Sequence, residues 1–132
     1  MISGKTKVLV VDDDPFILEM VTAILEGETY TVAIAENGAE AFTKFCEDPG
    51  IGLVVSDMNM PDMNGLALIE KIRNQGSDVP AIILTGDDDL SISDTVRDGA
   101  CDVLVKDENI QETIGPRVDM VLKKYELKKR ST

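Results

Sequence analysis

Five short apolar runs, Val8 to Val11, Tyr30 to Ala35, Ile51 to Val55, Ala81 to Leu84 and Cys101 to Val105, are spread along the 132 residues, each followed by a segment with helical spacing. Most of the runs are continuous and rich in Val, Ile and Leu, the pattern of strands buried on both faces of a parallel sheet. Strict alternation of strand and helix, five times over, puts helices on both faces, because the crossovers between parallel strands are right-handed. The expected fold is therefore α/β: a three-layer, doubly wound (βα)5 flavodoxin-like sandwich with parallel sheet order 2-1-3-4-5.

The helical segments carry their own punctuation. In the first, Asp14 can cap and Pro15 can take the first helical position, ahead of Ile17, Leu18, Val21, Ile24 and Leu25, with Gly27 as the stop. The second opens at Asn37-Gly38, carries Ala41, Phe42, Phe45 and Cys46, and ends at Pro49-Gly50. The third runs from Gly65 to Asn74 on Leu66, Leu68, Ile69 and Ile72, closed by Gly76. A fourth is predicted from about Asp89 to Asp98, where Ser91, Ser93, Thr95 and Val96 are poor helix formers. The last spans about Glu108 to Lys129, interrupted by Gly115-Pro116. Proline removes a donor and clashes with the preceding turn, so a short turn is expected first, with the main helix starting at Pro116 and burying Val118, Val121, Leu122 and Tyr125.

Composition bounds the chemistry. The chain has no histidine, which excludes a Ser-His-Asp triad, an imidazole base and a Cys/His zinc site. The 25 acids against 13 bases give a charge of −12, which disfavours nucleic acid or an anionic membrane and favours cations or basic partners. Cys46 and Cys101 lack CxxC spacing and read as two buried thiols in a reducing cytosol. The apolar run after the N-terminus is too short for a signal peptide, and no run reaches the roughly 18 residues of a membrane helix, so a soluble cytoplasmic protein of one domain is expected.

In such sheets ligands bind beyond the carboxyl ends of the strands, where the strand order reverses. Asp12, Asp13 and Asp14 follow the first strand, Asp57 the third, Thr85-Gly86 the fourth and Lys106 the fifth. Strands one and three flank the switch point, which brings Asp12, Asp13 and Asp57 to one edge. Three carboxylates a few ångströms apart need a counter-cation, and Mg²⁺, a hard ion with oxygen ligands, suits them. Carboxylate, Mg²⁺, Lys106 and the Thr85 hydroxyl together describe phosphoryl transfer onto a carboxylate. Asp14 reads as a helix cap.

At these residues the sequence resembles the receiver domain of two-component response regulators. The stretches that carry the resemblance are VLVVDDDP at 8–15, LVVSDMNMPDMNG at 53–65, IILTG at 82–86 and DVLVKD at 102–107. The resemblance implies that Asp57 is the phosphoacceptor, that Asp12 and Asp13 are the acidic pair with Asp13 the more direct metal ligand, and that Asn59 adds its backbone carbonyl. It implies Thr85 as switch hydroxyl, Lys106 as phosphate-binding base, and Gly86 as the small residue that leaves the approach to Asp57 open. Pro61 and Gly65 shape the loop after the acceptor. A sensor histidine kinase or phosphotransfer protein would supply the phosphohistidine, which gives the missing histidine a meaning. Phosphorylation would then alter the face made by the helix predicted at 89–98, the fifth strand and the last helix.

Two positions depart from the family pattern. Val103 stands where an aromatic switch residue is usual, so Thr85 can move inward without an aromatic rotamer change. Asp107, and not proline, follows Lys106, so a trans Lys106-Asp107 bond or a rearranged loop is expected. Residues 1–122 read as the receiver and 123–132, with five bases and one acid, as a basic helix end that serves as a linker to an output module, mediates a homodimer, or is simply solvated. Asp12-x-Asp14 also resembles the nucleophile motif of haloacid-dehalogenase-type phosphatases, but Phe16 replaces the required Thr or Val and there is no room for a cap. A flavin carrier would need a phosphate loop where the aspartates stand, and Asp87 to Asp89 lack the Gly and Glu of a calcium loop.

Overall fold

The computed structural model describes residues 6–86 and 101–130. The helix expected over Asp89 to Asp98, the run Asp87 to Asp89 and the side chain of Cys101 lie outside the described residues. Nine elements succeed one another: β1 (Lys7–Val11), α1 (Pro15–Gly27), β2 (Thr31–Ala35), α2 (Gly38–Glu47), β3 (Ile51–Asp57), α3 (Gly65–Asn74), β4 (Ala81–Thr85), β5 (Cys101–Val105) and α4 (Ile110–Arg130). The strands form one sheet in the order β2-β1-β3-β4-β5, and all four pairings are parallel.

Alternation along the strands builds two cores. Val8, Val10, Leu53, Val55, Ile82, Leu84 and Leu104 pack with Leu18, Val21 and Leu25 of α1 and Ile114 and Val118 of α4. Leu9, Val11, Val54, Ala81 and Ile83 pack on the other face with Ala41 of α2 and Leu68, Ile69 and Ile72 of α3. Full burial of each such side chain contributes roughly 1.5–3 kcal/mol.

One irregularity sets the register at the carboxyl end of the sheet. Lys7 lies opposite Ile51, but Val8 lies opposite Leu53, so Gly52 is an extra residue in the β1–β3 ladder. Ile51 and Leu53, two positions apart, consequently enter opposite cores. A one-residue slip exchanges the faces of everything after it.

Asp14 caps α1 by accepting from the Phe16 N–H, and Pro15 opens the helix, as the sequence predicts. Asn37 and Asn64 cap α2 and α3. Gly76 ends α3 with φ of 91°, its N–H donating to Arg73 and that of Ser77 to Ile72. The same double bond closes α1, from Thr29 to Glu26 and from Tyr30 to Leu25, but there the left-handed position falls on Thr29 (φ 74°) and not on Gly27.

Two expectations are corrected. α4 runs unbroken from Ile110, with Pro116 inside it, instead of starting at Pro116. Pro116 and Glu112, whose carbonyl the proline leaves without its helical donor, are both exposed, so water can satisfy that carbonyl while Ile110, Ile114, Val118 and Val121 hold one buried stripe. Cys46 is exposed, because α2 turns Ala41 inward and leaves position 46 at the solvent edge of its stripe.

Candidate functional site

Strand register assembles the site. Beyond the Gly52 bulge Val11 lies opposite Ser56, which sets Asp12 beside Asp57; Asp57 lies opposite Leu84, and Thr85 opposite Val105, which sets Lys106 at the next step. Asp12, Asp57 and Lys106 also continue the parity of Val10, Val55 and Leu104, so all three side chains rise from the face shared with α1 and α4. Without the bulge Asp12 would meet Ser56.

The geometry is that of a cluster held by a bridge. Asp12, Asp13 and Asp57 each offer a carboxylate oxygen, and these atoms lie within 4.8 Å of one another. Asp12 is fully buried, Asp57 is 6% exposed, and Asp13 faces solvent. Lys106 Nζ donates to Asp12 Oδ2 and to Asp57 Oδ1, 3.1 Å each. Asp12 Oδ1 accepts from the Asp14 N–H at 2.9 Å, and the Asp12 N–H donates to Ala35 O at 3.1 Å.

Burial raises the Asp12 pKa above the ordinary carboxylate value, helped by the charge of Asp57 and opposed by the Asp14 amide and Lys106. Burial opposes the charge on Lys106 too, but its hydrogen bonds and ion pairs with Asp12 and Asp57 outweigh this and hold its pKa above the usual lysine value. Three acids against one ammonium leave an excess of two negative charges in a pocket of hard oxygen donors. That donor set fits a divalent hard cation and no soft one.

Other expected residues take their places around this centre. Thr85 is buried at the end of β4, and its carbonyl accepts from the Lys106 N–H at 2.7 Å. Gly86 is exposed, and a Cβ there would meet no described atom within 4 Å. Asn59 and Pro61 are exposed in the loop after β3. Gly65 is sterically confined: a Cβ on it would lie 2.6 Å from the Asp57 carbonyl oxygen and 3.0 Å from Ile83 Cδ1. Val103 is half-buried and packs in the second core, while Arg117 of α4 reaches Asp102 Oδ2 at 3.0 Å and Val103 O at 3.4 Å. The Lys106–Asp107 bond is trans, one of the two arrangements expected from the missing proline.

Sequence reasoning did not find the attachment of the loop after β3 to α2. Asp62 accepts from the Gly38 and Ala39 N–H groups at 3.0 and 2.8 Å, and Met63 lies against Gly38. It also missed Ser56, buried beside Asp57, whose hydroxyl donates to the Asp57 carbonyl at 3.0 Å. No local signal marks either contact.

A doubly wound sheet whose switch point carries a lysine-bridged carboxylate cluster, with no glycine-rich phosphate loop, defines a narrow class of α/β domains. The chain belongs to the response regulator receiver domain family, whose sequence profile matches residues 8–115. It is 35% identical over 105 residues to the C4-dicarboxylate transport transcriptional regulatory protein DctD of Pseudomonas aeruginosa, covering 78% of this chain and 22% of that protein. With the transcriptional regulatory protein ZraR of Salmonella typhimurium it shares 33% over 118 residues, 86% of this chain and 26% of the relative. The chain thus spans about a quarter of the length of these relatives. Among solved structures, the chemotaxis protein CheY4 of Vibrio cholerae superposes with a TM-score of 0.81 at 31% identity, over 89% of this chain and 99% of that one. A receiver domain from Clostridium thermocellum gives 0.82 at 27%, over 92% and 98%. The function of the family is phosphorelay signalling in two-component systems, through histidine kinases or phosphotransfer proteins. No helix among the described residues is long and apolar enough to cross a membrane.

Proposed function

We propose that Asp57 accepts a phosphoryl group from a phosphohistidine of a partner kinase or phosphotransfer protein, in a Mg²⁺-dependent reaction. The observation that carries this is the Lys106 bridge. Asp12 engages both its oxygens, one on the Asp14 amide and one on Lys106, whereas Lys106 holds Asp57 through Oδ1. Asp57 Oδ2 is then the nucleophile: it bonds to phosphorus as the phosphorus–nitrogen bond to the donor imidazole breaks, and that nitrogen keeps the electron pair. This argues equally against Asp12 as a phosphatase nucleophile.

Asp12, Asp13, Asp57 and the Asn59 carbonyl would hold Mg²⁺, which supplies charge neutralisation for the phosphoryl oxygens. Lys106 then exchanges its contact with Asp57 for one with the phosphoryl group, and the Thr85 hydroxyl turns toward it. Because Thr85 and Lys106 lie at the ends of neighbouring strands and share a backbone hydrogen bond, their movement reaches β5 and α4. With Val103 in place of an aromatic side chain, the displacement passes through the backbone of β5 and the Arg117 contacts. Residues 1–122 form the receiver of a cytoplasmic protein, and the basic residues from 123 onward continue α4 as a linker or dimer contact.

Incubation with acetyl phosphate and Mg²⁺ tests the reading. A labile mass increase of one phosphate is expected, absent in Asp57→Asn and with EDTA. Modification that persists in Asp57→Asn, or none with any donor, would overturn it.

A further inference from the structure

The loop after Asp57 is fastened at its tip to a different element. The Asp62 carboxylate accepts from two amides in the first turn of α2, Gly38 at 3.0 Å and Ala39 at 2.8 Å. Met63 closes over the same turn so tightly that a Cβ on Gly38 would lie 2.3 Å from Met63 Cγ. These amide bonds hold the Asp62 carboxyl below the ordinary aspartate pKa, so it is ionised at neutral pH.

The helix also carries a cap of its own. Asn37 accepts from the Glu40 N–H at 2.8 Å, and the Glu40 carboxylate reaches back past the cap to accept from the Glu36 N–H at 2.8 Å. The Asp62 clasp therefore joins the loop to a helix start that Asn37 already caps at the Glu40 amide. At the other end Met58 is pinned, its N–H donating to Leu84 O and its carbonyl accepting from the Gly65 N–H, 2.8 Å each. Between the two anchors lie only Asn59, Met60 and Pro61, and proline fixes one of the backbone torsions.

We propose that Asp62 is a positioning residue for the cation: by clasping the start of α2 it holds the 59–61 backbone where the Asn59 carbonyl can complete the oxygen ligands of the Asp12–Asp13–Asp57 cluster. The inference rests on that cluster being the Mg²⁺ site. Mg²⁺ demands near-octahedral geometry, so a ligand carbonyl on an unanchored loop binds it poorly. Groups that orient ligands are typically worth 10–100-fold in metal affinity.

The test uses the full chain with Asp62→Ala, Asp62→Asn and Gly38→Ala. Each is titrated with Mg²⁺ alone by calorimetry, and the rate of modification by acetyl phosphate is followed against Mg²⁺ concentration. Asp62→Ala should lose roughly tenfold in Mg²⁺ affinity. Asp62→Asn should lose less, since its amide oxygen can still accept from one of the two N–H groups. Gly38→Ala, which must displace Met63, should reproduce the loss with Asp62 intact. Saturating Mg²⁺ should return every rate close to that of the wild type, which a general loss of structure would not allow. Wild-type Mg²⁺ affinity in a folded Asp62→Ala overturns the proposal, as does a rate defect that saturating Mg²⁺ leaves in place. If that variant does not fold, unchanged affinity in the other two overturns it. Failure of the wild type itself to bind Mg²⁺ or to be modified at Asp57 would defeat the underlying site reading, and is seen separately.

Discussion

Removing one of the site's own carboxylates should make the metal-free protein more stable. In Asp12→Asn the new amide oxygen still accepts from the Asp14 N–H, so the hydrogen bond at 2.9 Å survives while the charge is lost. At an effective dielectric of 20, two carboxylate oxygens no more than 4.8 Å apart repel by at least about 3.5 kcal/mol, and an ammonium at 3.1 Å attracts by about 5 kcal/mol. The substitution gives up the attraction, removes the repulsion and removes the desolvation of a fully buried anion, which costs several kcal/mol. The amide nitrogen then stands where Oδ2 met Lys106, a donor facing a donor, so Lys106 shifts its weight onto Asp57, with which it keeps its contact. The balance is a gain on the order of 1–3 kcal/mol at neutral pH.

The raised pKa of Asp12 gives the same sign. The folded chain holds that proton more tightly than the unfolded chain, so stability falls as pH rises from the ordinary carboxylate value through the raised one. Below that window the wild type and the variant should converge. Urea unfolding followed by far-UV circular dichroism measures the gap, in EDTA and in excess Mg²⁺. With Mg²⁺ the wild type gains by mass action and the variant, one ligand short, gains less, so the gap should narrow or reverse. An Asp12→Asn protein less stable than wild type in EDTA, or a gap that Mg²⁺ leaves unchanged, would refute the reasoning.

Three other outcomes are expected. Gly65→Ala must push the Asp57 carbonyl or Ile83 aside and should cost about 1–3 kcal/mol in urea unfolding while slowing modification by acetyl phosphate. Thr29→Gly, which relieves a β-branched residue of its left-handed conformation, should raise stability by about 1 kcal/mol in the same assay. The Tyr30 hydroxyl donates to Asp119, and burial together with that bond pushes its pKa well above the usual value. Its contribution is full below about pH 10 and lost as pH rises toward the folded value. With two tyrosines and no tryptophan in the chain, absorbance titration should show late ionisation, and Tyr30→Phe should lessen the alkaline fall in stability, leaving the part that Lys106 and Tyr125 contribute.

What could be read in advance was what is written locally. The sheet order follows from five alternations, and the caps at Asp14 and Asn37 and the turn at Gly76 follow from residue types whose conformations are intrinsic. The acids at matching strand ends were legible for the same reason, since a strand end is a local event. What escaped depends on contacts between distant segments. Nothing around Gly52 announces a bulge, yet it decides that Asp12 meets Asp57 and not Ser56. Asp62 looks like any turn aspartate until α2 is placed beside it. Pro116 reads as a break because the rule concerns an isolated helix, whereas here a buried stripe on one side and water on the other carry the helix through.

Lys106 reaches acids 94 and 49 residues earlier in the chain, from the strand added last to the margin of the sheet. During synthesis Asp12, Asp13 and Asp57 all emerge before their counter-charge does. A partly made or partly unfolded chain therefore holds a repelling pocket with no lysine to share between its acids. Pairings of such long range form late in folding. The lysine-bridged cluster is thus assembled only when the sheet is complete.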